Sequence, residues 1–290
     1  MANIIEFEQV SYTYQPNTPF AHTALQKMSF QITEQSYTTI IGHTGSGKST
    51  LLQLFNGLLL PTTGQINIAG HTLTKQTKAK ELQALRQKVG LVFQFSEAQL
   101  FAETVLDDVA FGPQNFGCTK QEAEERAKKA LAQVGLSPEV YERSPFDLSG
   151  GQMRRVAIAG VLAMEPEILI LDEPTIGLDP KGRKEIMQLF ANLHKQGLTI
   201  ILVTHAMDDV ANFAEQVLVL EHGHLIQQTT PAILFADEQW LLKHHLALPQ
   251  TMKFYTKLQA QGWAQATALP LTLDQLATYI LKERRGSKND

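Results

Sequence analysis

Gly42-His43-Thr44-Gly45-Ser46-Gly47-Lys48-Ser49 fits the spacing G-x-x-x-x-G-K-[ST], and Thr50 follows it directly. Tyr37 to Ile41 before it reads as a strand, and Ser49 to Leu58 after it as a helix. That frame is what the spacing needs in order to act as a phosphate-binding loop (P-loop). Glycines let the backbone curl until successive N–H groups face one concavity. The helix N-terminus adds positive potential at the same place. The cradle runs from Gly42 to Thr50. Lys48 is expected to reach the β- and γ-phosphates of a nucleoside triphosphate. The Ser49 hydroxyl is expected to ligate Mg²⁺, an ion that keeps several waters and takes few protein ligands.

Three runs further on are apolar on both faces: Ile168 to Leu171, Thr199 to Val203, and Val217 to Leu220. Each follows a helical segment, as in a parallel sheet covered by helices. The first ends in Asp172-Glu173, at the sheet edge where α/β proteins place their ligands. Asp172 suits the water shell of Mg²⁺. Glu173 suits orienting or deprotonating an attacking water. His205 follows the second run, where it can sense or hold a γ-phosphate. Gln94 follows Val89 to Phe93 and can contact metal or water. Taken singly, His205 and Gln94 are also ordinary strand-end residues.

The remaining organisation is coarser. Ile4 to Tyr14 alternates as a strand, with Val10, Tyr12 and Tyr14 on one face, and Met28 to Ile32 reads as another. Helices are expected over Val105 to Phe116, Lys120 to Val134, and Gln152 to Met164. Gly223 turns a last hairpin. Beyond Thr229-Thr230-Pro231 only helical patterns appear, such as Leu271 to Leu281. The expected plan is a nucleotide-binding domain over residues 1–230, with a helical insertion at about 96–164, and a small C-terminal helical domain over 231–290. The charged run Lys282 to Lys288 reads as a solvated, frayed end.

Composition narrows the function classes. The 290 residues are 43% hydrophobic and 19% charged, ordinary globular usage that excludes a disordered or low-complexity chain. A net charge of −4 provides no basic field to collect nucleic acid. Cys118 is the only cysteine, so no internal disulfide or cysteine-held zinc is expected. Met1 to Glu6 lacks the basic start of a secretory signal. The longest apolar run, Val156 to Met164, is about half the ~18 residues that suggest a membrane span. A soluble chain is expected, with any membrane role reached through a partner.

Leu148-Ser149-Gly150-Gly151-Gln152 places a hydroxyl and two side-chain-free N–H groups at a helix start, a second anion receptor that also reads as a plain Ser149 N-cap. With the preceding motifs in this order, residues 4 to about 230 resemble an ATP-binding-cassette (ABC) ATPase. The resemblance implies a P-loop NTPase core of RecA-like type, an antiparallel β subdomain, an all-helical subdomain carrying the signature, and ATP with Mg²⁺ as ligands. It also implies head-to-tail dimerisation, in which the P-loop of one subunit faces the Ser149-to-Gln152 signature of its neighbour across a shared ATP. Tyr14 would stack on adenine, with Tyr12 as the rival on the same strand face. Gln94 would be the Q-loop residue, Asp179 would lie in the D-loop, and His205 would be the switch histidine.

Gln94 to Phe101, Thr104-Val105 and Asp108 to Pro113 resemble the energy-coupling factor branch, whose transporters take up vitamins or transition-metal ions. Gln152 to Gly160 and Asp172 to Thr175 are similar to its A-prime ATPase. The branch implies a second, non-identical ATPase, a membrane T component and a substrate-capturing S component, with this chain on the cytoplasmic face of the membrane. An exposed Phe95, Leu100 and Phe101 would then line a groove for a coupling helix of the T component. The other reading makes all three core residues. Ser96 stands where many relatives carry proline, and Ile176 where the D-loop residue is usually small or hydroxylic. A soluble cassette ATPase working on nucleic acid or the ribosome is the alternative. The single P-loop, the lack of a long heptad segment and the acidity all weigh against it.

Overall fold

The computed structural model describes residues 2–263, 266 and 268–286, so Ser287 and Lys288 of the charged run lie outside the described residues. The strands are β1 (Asn3–Tyr14), β2 (His22–Thr33), β3 (Tyr37–Ile41), β4 (Thr63–Ile68), β5 (His71–Leu73), β6 (Val89–Val92), β7 (Ile168–Asp172), β8 (Thr199–Val203), β9 (Gln216–Glu221) and β10 (His224–Thr229). The helices are α1 (Lys48–Phe55), α2 (Leu82–Lys88), α3 (Val105–Asn115), α4 (Lys120–Gln133), α5 (Gly150–Leu162), α6 (Pro180–Lys195), α7 (Met207–Phe213), α8 (Pro231–Leu234), α9 (Glu238–Lys243), α10 (Gln250–Ala260) and α11 (Leu273–Gly286). The backbone forms two compact units. One holds the chain up to Ser36 together with Ser49–Val203, and the other holds Tyr37–Lys48 and the chain from Thr204 on.

In the first unit, β2-β1-β4-β5 form an antiparallel sheet. Phe7 of β1 stacks on Phe30 of β2 at 4.5 Å, and Phe55 of α1 meets Phe7 edge-on at 5.3 Å. Gln9 sits at φ 51, and the pairing of β1 with β2 shifts between Phe7 and Val10. This bulge lets Phe7 and Val10 both be buried although they are three residues apart, which strict alternation forbids. β6, β7 and β8 run parallel, with Val92 opposite Leu171 and Leu171 opposite Leu202. Ile168–Leu171 and Ile200–Leu202 are fully buried, as runs apolar on both faces require. α3, α4 and α5 pack on one another.

In the second unit, β3 pairs with β9 in parallel and β9 with β10 antiparallel. α7 and the C-terminal helices bury Leu234, Phe235, Met252 and Tyr255 in one cluster with Ile41, Val217 and Val219.

Several expectations are corrected. α1 stops at Phe55 rather than Leu58, because Gly57 turns left-handed at φ 66 and a side chain there would come within 2.9 Å of Leu82. α5 starts at Gly150 rather than Gln152, and α11 at Leu273 rather than Leu271. β4 and β5 were not legible as strands, being short and only partly buried. Among the described residues, no helix is long and apolar enough to cross a membrane.

Candidate nucleotide site

β3 delivers the chain to the loop at Gly42, and the loop opens α1 at Lys48. Gly42, Gly45 and Gly47 take φ values of 152°, 81° and 103°. At Gly42 a Cβ would lie 2.2 Å from the Leu220 carbonyl oxygen, so only glycine fits there. The Ser46 N–H donates to the His43 carbonyl at 3.2 Å and closes the turn. The Lys48 ammonium donates to the carbonyls of Gly42 and His43 at 2.7 and 2.9 Å. Its charge is thereby held over the loop. Thr44, Gly45 and Ser49 are exposed. Ser46 is fully buried, its Oγ without a hydrogen-bond partner.

The Tyr14 hydroxyl lies 3.2 Å from Thr50 Oγ1, which places the aromatic ring beside the first turn of α1. Tyr12 meets Tyr14 edge-on at 4.8 Å, so both rings share one half-buried patch.

Gln94, Asp172 and Glu173 issue from the same ends of adjacent parallel strands, β6 and β7, and all three are half-buried. Glu173 takes a left-handed backbone at φ 48, and its N–H donates to Val203 O at 3.0 Å. A non-glycine residue in that region is uncommon in general, but nine others among the described residues also adopt it. Sequence reasoning had no access to it. His205 comes two residues after β8 and is exposed.

Ser149 and Asp179 are both N-caps. Ser149 Oγ accepts from Gln152 N at 3.3 Å, and the Gln152 amide oxygen accepts from Ser149 N at 3.0 Å, completing a capping box on α5. Asp179 accepts from Gly182 N at 2.7 Å at the start of α6. Ser149, Gly150 and Gly151 are exposed, and a Cβ on either glycine would meet nothing within 4 Å. The N-cap and the exposed glycine amides therefore belong to the same piece of backbone.

Arg154, on α5, joins these loops and was passed over in the sequence. It is only 4% exposed. It donates to Glu97 at 3.1 and 2.8 Å, to the Pro174 carbonyl at 3.2 Å and to the Ile176 carbonyl at 2.6 Å. The signature helix is thus tied to the segment after Gln94 and to the segment after Glu173. Burial works to raise the Glu97 pKa, but the hydrogen bond and charge of Arg154, with a bond from its own backbone, overcome that and hold it below the ordinary value of 4.5. Arg154→Ala is expected to lower stability by about 3 kcal/mol, because it strands a part-buried carboxylate and two carbonyls. Urea denaturation measures this. Glu97 has a lower pKa folded than unfolded. Its contribution is therefore full above 4.5 and fades as pH falls through the folded value, and the Arg154→Ala deficit should shrink in that acid range.

Of the three residues expected as an exposed groove, Phe95 (59%) and Phe101 (57%) are exposed, but Leu100 is buried at 6%. Phe101 packs edge-on against the exposed Phe111 at 4.8 Å. Ser96, where proline was noted as usual, is buried and its Oγ has no partner.

Comparison with known proteins identifies the family. Residues 25–176 match the ABC transporter family. The energy-coupling factor transporter ATP-binding protein EcfA2 of Enterococcus faecalis is 56% identical over 96% of both chains. EcfA2 of Lactococcus lactis is 54% identical over 99% of this chain and 100% of its own. Among solved structures, cbiO1 from Clostridium perfringens, part of the ABC transporter complex cbiONQ, superposes with a TM-score of 0.74 at 38% identity, covering 88% of this chain and all of its own. The ATP-binding cassette MJ0796, solved as a dimer bound to ADP and Pi, superposes at 0.69 with 32% identity over 78% of this chain and 98% of its own. The chain belongs to the ABC transporter ATPase family, among the ATP-binding proteins of energy-coupling factor transporters.

Proposed function

We propose that this chain hydrolyses ATP as one of two cassette subunits on the cytoplasmic face of an energy-coupling factor transporter that takes up vitamins or transition-metal ions. In this reading residues 1–230 form the nucleotide-binding domain and 231–290 a C-terminal helical domain. Gly42 to Thr50 hold the triphosphate, and Tyr14 stacks on adenine. Ser49, Asp172 and Gln94 offer a hydroxyl, a carboxylate and an amide oxygen, an all-oxygen set that fits Mg²⁺. The ion, when bound, neutralises charge on the transferred phosphoryl group. Glu173 orients the attacking water and takes its proton, while His205 holds the γ-phosphate. Phosphoryl transfer needs little else from the protein than positioning and charge stabilisation.

The observation that carries the composite-site reading is the pair Gly150-Gly151. Glycine costs up to about 1 kcal/mol relative to alanine within a helix. These two open α5, are exposed, and have open space where a Cβ would be. Packing within the chain does not ask for them. A triphosphate brought by the P-loop of a facing subunit does, since it must approach the backbone closely. Asp179, exposed at the start of α6, would border the same junction. Phe95, Phe101 and Phe111 are exposed aromatic residues suited to receive a coupling helix of the T component, while Leu100 is buried.

Purification from membranes tests this. Recovery of one T-type membrane protein, an S component and a second, non-identical cassette ATPase is the expected result. Recovery of nucleic acid or ribosomes, with salt-sensitive binding, would favour the alternative.

A further inference from the structure

One cluster of metal-ligating side chains is not used by the scheme above, which takes from His43 only its place in the phosphate loop. It joins His43, in the phosphate loop, to Glu221 and His222, where β9 turns into β10. One ligand atom from each lies within 4.8 Å of the others. All three belong to the second compact unit.

The backbone builds this meeting from both sides. His222 and Gly223 take φ values of 47° and 79°, so the two-residue hairpin has the mirror-image turn that suits the twist of its strands. Gly223 N donates to Ser46 O at 3.1 Å, pinning the turn to the loop. Gly42 lies so close to the Leu220 carbonyl that nothing larger fits. His43 is thereby carried against the turn, its ring 5.0 Å from that of His222.

The side chains are also set for ligation. His43 Nδ1 is 2.7 Å from the Thr44 carbonyl, which can only accept. In the neutral ring this contact puts the proton on Nδ1 and leaves the lone pair on Nε2, on the far side of the ring. A metal-bound imidazole is commonly fixed in this way through its second nitrogen. Glu221 Oε2 is held at 3.1 Å by Nδ1 of His244, whose ring rests 4.3 Å from Trp240. Ligands of one tetrahedral ion stand about 3.3 Å apart. His222 is exposed, so its side chain has room to rotate toward that spacing.

We propose that His43, Glu221 and His222 form a binding site for a divalent transition-metal ion of the zinc, cobalt or nickel type, which staples the phosphate loop to the hairpin turn. Two imidazoles and one carboxylate suit these ions, whereas Mg²⁺ and Ca²⁺ favour all-oxygen shells. Three protein ligands leave one position for water.

The test is calorimetric titration of the full chain with ZnCl₂ in excess Mg²⁺, with Co²⁺ absorption as a spectroscopic check on geometry. Wild type is expected to bind one ion with micromolar affinity and to give a tetrahedral Co²⁺ spectrum. His222→Asn keeps a residue at ease in the left-handed turn, and Glu221→Gln keeps shape. Each should weaken that site at least tenfold without moving the metal-free melting temperature. His244→Ala should weaken it less, by loosening Glu221. Unchanged affinity in both His222→Asn and Glu221→Gln would place the ion elsewhere and overturn the proposal. So would wild-type binding no tighter than millimolar.

Discussion

Glu173→Gln is expected to cut ATP turnover by at least 10²-fold while ATP stays bound and the cassette pair stays closed. A positioned general base contributes about 10²–10⁴-fold. The amide keeps the shape of the carboxylate but cannot take a proton. The local backbone leaves this variant free of side effects. Glu173 is held at φ 48 by its N–H bond to Val203, and glutamine preserves both. Loss of rate therefore reports on the carboxylate rather than on a collapsed loop. Single-turnover hydrolysis and nucleotide retention measure the two halves of the claim. Normal turnover would remove Glu173 from the catalytic role.

Lys48→Ala is expected to weaken ATP binding about 100-fold. Lys48 starts α1 and its ammonium already lies 2.7 and 2.9 Å from two loop carbonyls. Bound phosphate oxygens would exchange with those carbonyls as acceptors. Hydrogen bonds to charged groups contribute about 1.5–3 kcal/mol, which sets the size of the loss. Alanine is the best helix former, so α1 should persist and the melting temperature should hardly change. Equilibrium binding of a fluorescent ATP analogue measures the effect, and unchanged affinity would contradict the assignment.

How far the sequence reached depended on how local each cause is. The P-loop was legible because its strand, glycines and helix are contiguous, and β3 has the expected bounds. The strand runs at Ile168, Thr199 and Val217 were legible because burial on both faces leaves a continuous apolar record. Ser149 was legible as a cap because the capping box is written within four residues. The rest depends on distant partners. Arg154 looks like any helical arginine until Glu97, Pro174 and Ile176 close around it. Leu100 sits between polar residues and an exposed Phe101, yet packs inward. The bulge at Gln9 breaks the alternation on which strand reading relies. The left-handed backbone at Glu173 has no compositional trace, and His43 meets Glu221 and His222 only through the fold.

In the proposed assembly this chain completes its neighbour's ATP site. A structure of the whole transporter carrying Glu173→Gln, determined with MgATP, tests it most directly. Ser149 Oγ and the Gly150-Gly151 amides are expected within about 3 Å of the γ-phosphate gripped by the facing subunit. Solvent between that phosphate and α5, with both nucleotides bound and the pair closed, would contradict it.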